Sequence, residues 1–402
     1  MDAYVARQPI LDRKKTLFAY ELLFRDGLSN YFPQVDGDTA TSKVLSSSFL
    51  TIGIERITGG KRAFINFTQN LLLTDIPSMF PPQSTVVEIL EDVKPDQAVI
   101  ESCSKLSKAG YYLALDDFIF KPGMQALIKL ADIIKIDFRL MPMDEIKRIV
   151  SNPELKGKKL LAEKIETTEE FKAAFNTGFE YFQGNFFSMP EIIKGKELTG
   201  STVQLLNLVV EINKAEVNMD EIQKIVEHDV SLSYKLLRYV NSAFMKRRAE
   251  INSIRKALMI VGLVELKRLV SLILLSKVSV GKPDELIRSS CIKARFCEKL
   301  GHISTCATTH DELFMLGLFA HLDAILDQPM NEILEKISIS KHISDALVYG
   351  EGDSVKYLRL AQSYEKGDWD NVKEYAAQTC VPGDALPGIY MEACKWADEF
   401  TA

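Results

Sequence analysis

Five carboxylates, one amide and one lysine interrupt short apolar runs in the first half of the chain. Glu21 lies within FAYELLF, Asn66 within AFINF, Glu88 after TVV, Asp116 and Asp117 after YLAL, Lys135 within IIKID and Glu163 after KLLA. If these runs are strands of one parallel barrel, their C-terminal ends share a rim, and that rim is where such barrels carry chemistry. Carboxylates gathered there repel one another. A divalent cation relieves the repulsion, and hard oxygen donors select Mg2+, Mn2+ or Ca2+ over zinc. Two such ions could clamp a phosphodiester and activate a water against it. Strand ends also carry polar residues simply because they reach solvent, so each position taken alone reads as structural.

The elements that would position these groups are legible as a pattern. Residues 1 to 190 alternate between the runs VARQPIL, TLFAYELLF, RAFINFT, TVVEILE, YYLALDDF, ADIIKIDF, KLLAEKIE and YFQGNFF and amphipathic stretches such as Asp96 to Ala109 and Thr168 to Thr177. Short runs rich in β-branched and aromatic residues read as strands. Their alternation with helices implies a mainly parallel α/β sheet. The number of runs suggests a barrel, although number alone leaves an open doubly wound sheet standing. After Pro190 the pattern changes. Segments such as SLSYKLLRYVNSAF, SIRKALMIVGLVELKRLVSLILL and DELFMLGLFAHLDAIL carry apolar residues at helical spacing, so residues 197 to 402 read as all-α. The expected division is 1–192 and 193–402, with a helix N-cap at Ser201 or Thr202.

A chain of 402 residues is too long for one compact core. Its net charge of −6 gives no global pull toward nucleic acid or anionic lipid. The basic residues Lys246, Arg247, Arg248, Arg255, Lys256, Lys267 and Arg268 lack interleaved aromatics and read as a solvated face or a partner surface, with nucleic acid disfavoured. The opening MDAYVARQPI has no apolar leader core, and the longest aliphatic run is roughly a third of the ~20 residues that a spanning helix needs, so no membrane is expected and the cytoplasm is the expected compartment. Six cysteines without a CxxC pair read as reduced thiols. Two His-Asp pairs, His228-Asp229 and His310-Asp311, precede helical patterns and read as caps of helix N-termini.

In order along residues 4 to 190, RQPILD, YELLFR, FINFT, VVEILE, LALDDF, IIKID, LAEKIET and FQGNFFSMP resemble the motifs of the EAL family of cyclic di-GMP phosphodiesterases. The signature stands here as Glu21-Leu22-Leu23, with Arg25 retained. The resemblance implies a TIM-like (β/α) barrel that binds cyclic di-GMP with Mg2+ or Mn2+ and hydrolyses it to linear pGpG. It implies that Glu21, Asn66, Glu88 and Asp116 hold the metals, with Asp117 shared between them. Glu163 would be a further ligand or activate the water, and Lys135 would stabilise the phosphate charge or place the water. Gln8, Leu23, Arg25, Asp137 and Gln183 would meet the substrate, while Glu91 and Glu166 would support the rim loops. Two departures stand out. The Gly-Thr-Gly-Tyr-Ser-Ser loop that follows Asp-Asp-Phe in the family is replaced by IFKPGMQAL, and only seven residues precede Gln8, so the helix that usually opens the domain is missing. Slow or absent hydrolysis is therefore expected, and the alternative is an inactive scaffold.

The second half resembles the HDOD domain, through IVEHDVSLSYKLLRYVNSAF and INSIRKALMIVGLVELKRLV. Its slot for a metal-binding His-Asp pair reads His321-Leu322-Asp323. Positions i and i+2 lie ~200° apart on a helix, so these two cannot replace an adjacent pair. The resemblance implies a protein-interaction module without hydrolase activity, with an unidentified protein partner; a homodimer stays open.

Overall fold

The computed structural model describes residues 3–26, 54–121, 123–189, 200–212, 254–305, 310–337 and 339–401, with a few isolated positions between 223 and 240. Eight strands close into a barrel in chain order: β1 (Ala3–Asp12), β2 (Leu17–Asp26), β3 (Arg62–Phe67), β4 (Thr85–Ile89), β5 (Tyr112–Leu115), β6 (Ile133–Asp137), β7 (Lys159–Glu163) and β8 (Tyr181–Gln183). The expected barrel is thus present. From β2 to β8 all neighbours pair parallel, but β1 runs antiparallel to both β2 and β8. The turn explains the reversal. The Asp12 carboxylate accepts from Lys14 N and Thr16 N, and Lys15 takes φ 59°, closing a tight hairpin. The start of β1 therefore lies beside the end of β2, with Gln8 opposite Glu21.

The connecting helices include α1 (Ile54–Thr58), α2 (Gln69–Leu73), α3 (Gln97–Lys108), α4 (Gln125–Leu130), α5 (Met143–Val150) and α6 (Thr168–Thr177). Both expected amphipathic stretches are helices with side-chain caps. Asp96 accepts from Val99 N at α3, and a Thr167–Glu170 capping box with Gly178 in the left-handed region bounds α6.

Two apolar layers hold the barrel. The outer layer packs strand residues such as Ile65, Val87 and Phe182 against the helices. The inner layer is Ile10, Ala19, Phe64, Val86, Ala114, Ile133, Leu161 and Tyr181. On the parallel strands each of these precedes a polar residue of interest by two: Ala19 before Glu21, Phe64 before Asn66, Val86 before Glu88, Ala114 before Asp116, Ile133 before Lys135, Leu161 before Glu163, and Tyr181 before Gln183. Side chains on a strand return to one face every second residue. The apolar plug is thus one layer, and the polar groups form the next layer toward the C-terminal rim.

Chain contacts define two compact units, Met1–Met189 with Ser304–Cys306 and Arg359–Cys394, and Pro190–Ile303 with Ala307–Leu358 and Lys395–Ala402. Among the described residues after β8 only helices occur: α7 (Gly200–Ile212), α8 (Ile254–Val261), α9 (Leu263–Val278), α10 (Asp284–Ile303), α11 (His310–Phe319), α12 (Leu322–Leu326), α13 (Met330–Leu334), α14 (Lys341–Val348), α15 (Val355–Lys366), α16 (Trp369–Gln378) and α17 (Leu386–Thr401), with short 3-10 turns at Asn185–Ser188 and Gly383–Ala385. None of the described helices is long and apolar enough to cross a membrane.

In the first unit, Tyr4 of β1 meets Trp369 edge-on at 5.9 Å, and Trp369 meets Tyr364 at 5.4 Å. Gln8 Nε2 donates to Lys366 O at 2.9 Å, and a Cβ on Gly367 would fall 2.6 Å from Leu23 Cδ1. The α15–α16 turn thus lies directly on β1 and β2. In the second unit, Glu265 and Arg268 of α9 form a buried ionic network with Arg295 and Glu298 of α10, and Trp396 Nε1 donates to Glu265 Oε1 at 3.2 Å.

Several expectations change. Arg268 belongs to that buried network and not to a solvated basic face. The α7 helix begins at Gly200, so Ser201 and Thr202 fall inside its first turn. Cys103, Cys291, Cys297 and Cys394 are free thiols, whereas Cys380 is disulfide-bonded, against the expectation of reduced cysteines throughout. Asp311 falls in the first turn of α11, while His228, Asp229 and Lys246 to Arg248 lie outside the described residues.

Candidate metal and phosphodiester site

The polar layer is built around one ammonium. Lys135 is fully buried, and its Nζ stands 2.8 Å from Glu163 Oε1, 2.9 Å from Asp116 Oδ1 and 3.5 Å from Glu21 Oε2, with a closer contact to Glu88. Burial opposes the Lys135 charge, but Glu163, Glu21, Glu88 and Asp116 outweigh it and hold the ammonium well above the usual lysine range. The carboxylates divide. Burial and the neighbouring Glu21 push Glu88 well above its ordinary range despite Lys135. Burial likewise pushes Glu163 up to about 8 against the pull of Lys135. Burial works on Asp116 too, yet the charge and hydrogen bond of Lys135 leave it below normal. The balance is a charged Lys135 set against Asp116, with Glu88 and Glu163 the members that take up protons.

Amides complete the floor. Asn66 Nδ2 donates to Glu21 Oε1 at 3.2 Å, and Gln183 Nε2 donates to Glu21 Oε2 at 2.7 Å and to Gln8 Oε1 at 3.0 Å. This leaves Asn66 Oδ1, Glu88 Oε2, Glu163 Oε2, Asp117 Oδ1 and Gln183 Oε1 buried without a hydrogen-bond donor. Buried acceptors left so are costly, and every one of these is a hard oxygen. The donor set therefore fits a divalent cation of the Mg2+, Mn2+ or Ca2+ type. Glu21, Glu88 and Glu163 can bring ligand oxygens within 4.8 Å of one another, as can Glu91, Asp116 and Asp117.

The remaining predicted residues are placed as follows. Asp137 is buried and accepts from Arg139 N at 2.7 Å. Glu91 is exposed, and its carbonyl accepts from Lys121 Nζ at 3.3 Å. Glu166 is half exposed and pairs with Arg139, away from Lys135. Leu23 packs against the α15–α16 turn. The Arg25 side chain lies outside the described residues, although its backbone pairs with Tyr4. A small pocket opens beside Asp116, Asp117, Glu91 and Lys121. Its loop wall is apolar: Phe118 and Phe120 meet edge-to-face at 4.9 Å, and Phe120 and Met124 pack onto the core. One residue escaped the sequence reading. Lys164, directly after Glu163, takes φ 56° and pairs with both Asp137 and Asp117. The available signal was a lysine immediately after an acidic strand end.

Residues 60–190 match the EAL domain and residues 201–342 the HDOD domain. The chain is 36% identical over 404 residues to an uncharacterized protein, YuxH, of Bacillus subtilis (strain 168), covering 98% of each. It is 36% identical over 399 residues to the cyclic di-GMP phosphodiesterase CdgJ of Vibrio cholerae serotype O1, covering 98% of this chain and 92% of that relative. The chain belongs to the EAL–HDOD family. A crystal structure of an EAL domain protein from Listeria monocytogenes EGD-e compares at a TM-score of 0.40 and 19% identity, over 46% of this chain and 87% of that one.

In the HDOD half, His321 is the N-cap residue of α12, and its Nε2 lies 3.4 Å from Ser289 Oγ. Lys293 Nζ donates to the same Ser289 hydroxyl at 2.7 Å. Burial and the Lys293 charge hold His321 well below its ordinary range. Asp323 turns its carboxylate back onto Ala324 N. The slot for a metal-binding pair thus holds a buried imidazole beside Ser289, with the Asp323 carboxylate turned onto its own helix.

Proposed function

We propose that the EAL half binds cyclic di-GMP with Mg2+ or Mn2+ and hydrolyses it slowly to linear pGpG, and that the HDOD half is the interaction module for a protein partner. The observation that carries this reading is the group of donorless buried oxygens around Lys135 at the barrel rim. The name of the Vibrio relative points to the same substrate. In this reading Glu21, Asn66, Glu88 and Asp116 hold the metal, with Asp117 at its edge. The bound ion supplies a Lewis acid for the phosphodiester oxygens and makes a bound water more acidic. Glu163, 2.8 Å from Lys135 Nζ, would be a further ligand or, once deprotonated beside the bound cation, take the water's proton. Lys135 sets a fixed positive charge under the position where phosphate charge grows. Gln8 and Gln183 line the floor, and Arg25 and Asp137 orient the ligand. The chain would act in the cytoplasm, alone or as a homodimer, with residues 1–192 and 193–402 as its two functional halves.

A second reading, an inactive scaffold, is favoured by the apolar loop at Ile119 to Gly123. Titration calorimetry of the full chain with cyclic di-GMP and either metal, followed by a hydrolysis assay on the same sample, separates the two. Metal-dependent binding that Glu21→Ala or Asp116→Ala abolishes is expected. No binding at near-millimolar ligand rules out the first reading.

A further inference from the structure

Lys164 stands where a side chain is least at home. Its φ of 56° lies in the left-handed region, which residues other than glycine rarely adopt and which at functional sites marks strain retained for a purpose. From there its Nζ forms a close ion pair with Asp137 and stands 3.7 Å from Asp117 Oδ1. Asp137 is only 1% exposed, whereas the Lys164 side chain is 47% exposed. The ammonium therefore lies at the lip of the rim, anchored on a buried carboxylate and open on its other side. Asp117 is also the outer member of the second carboxylate group, with Glu91 and Asp116.

We propose that Lys164 is a built-in cation that takes the place of a second divalent ion, so that this barrel holds one metal per chain, on the Glu21, Asn66, Glu88 and Asp116 side. The inference rests on the metal-binding reading above. A divalent ion on Asp117 would stand against the ammonium, and like charges at that separation repel strongly in a partly buried site. Lys164 cannot swing away freely, because buried Asp137 would lose its counter-charge. The ammonium is thus left to meet the phosphate oxygen that a second ion would otherwise hold, as a compact point charge.

Equilibrium dialysis and electron paramagnetic resonance of the full chain with Mn2+ alone test this without turnover. The parent is expected to bind one Mn2+ per chain, with no spin coupling between ions. Lys164→Gly, which suits the backbone, and Lys164→Met, which keeps the bulk without the charge, are expected to bind two, with a coupled spectrum. Lys164→Arg is expected to stay at one. Asp117→Asn added to Lys164→Gly is expected to return the count to one. Two ions on the parent, or one on both uncharged variants, overturns the proposal while leaving the metal reading intact. No Mn2+ on any of these chains overturns both.

Discussion

Lys135 is the counter-ion on which the metal-free site depends. Removing its charge leaves four facing carboxylates without it. Breaking a buried ion group costs about 3–5 kcal/mol. Lys135→Met is therefore expected to lower the unfolding free energy by about 3 kcal/mol without metal, and Mn2+ is expected to restore most of it, as read by denaturant titration with and without the ion. The site also sets a pH dependence. Glu163 is raised in the folded chain to about 8, so its protonated form favours folding below its ordinary value of 4.5, and that contribution is lost as pH rises through about 8. Metal reverses the sign, because it binds the deprotonated carboxylate. The gain in thermal midpoint from Mn2+ should thus grow between pH 6 and pH 8, and a flat profile would count against Glu163 as a ligand. Most of these residues were legible because they interrupt apolar runs two residues past an inward-facing apolar one, and so fall on the same face toward the strand's C-terminal end. Lys164 was not, since its placement depends on a backbone angle that no pattern records. Arg268 was misread because charge alone does not reveal buried partners.

At the scale of elements, the strands and helices followed from apolar periodicity, but the direction of β1 did not. A signal was present: only Arg13 to Thr16 separate β1 from β2, and parallel neighbours need a crossover of a dozen residues or more. The loop after Phe118 shows the opposite case, in which a departure in sequence has a structural replacement. Phe120 and Met124 pin it to the core, and Lys121 reaches the Glu91 carbonyl. Exchanging Ile119 to Gly123 for a Gly-Thr-Gly-Tyr-Ser-Ser type loop is expected to raise hydrolysis by about 10- to 100-fold, since a misplacement of ~1 Å can cost ~100-fold. The same exchange gives up the partly buried Phe120, so a loss of about 1–2 kcal/mol in stability should accompany the gain. A faster enzyme of unchanged stability would show that the apolar anchor carries no weight.

For the whole molecule, the break after Pro190 was legible as a switch from strand alternation to helical spacing. The return of Arg359–Cys394 to the barrel's unit was not, because helical periodicity tells which face is apolar and not what covers it. Nothing in the pattern singles out Trp369, which meets Tyr4 of β1 on one side and Tyr364 on the other.

The α15–α16 turn gives Gln8 two claimants. Its amide hydrogen is held by Lys366 O, and its oxygen is held by Gln183. A dinucleotide that engages Gln8 and Leu23 has to evict that turn, so occupancy of the barrel and seating of the turn compete for the same atoms. Such competition is reciprocal: whatever holds the turn down weakens the ligand by the same factor by which the ligand loosens the turn. Hydrogen exchange across residues 359–378 is therefore expected to quicken when cyclic di-GMP and Mn2+ are added, and Gln8→Ala, which releases the turn at the outset, should erase the difference. Unchanged exchange with bound ligand would mean that the dinucleotide enters without touching this turn. A competing turn would make the helical tail a readout of the messenger's concentration, with its set point fixed by one hydrogen bond.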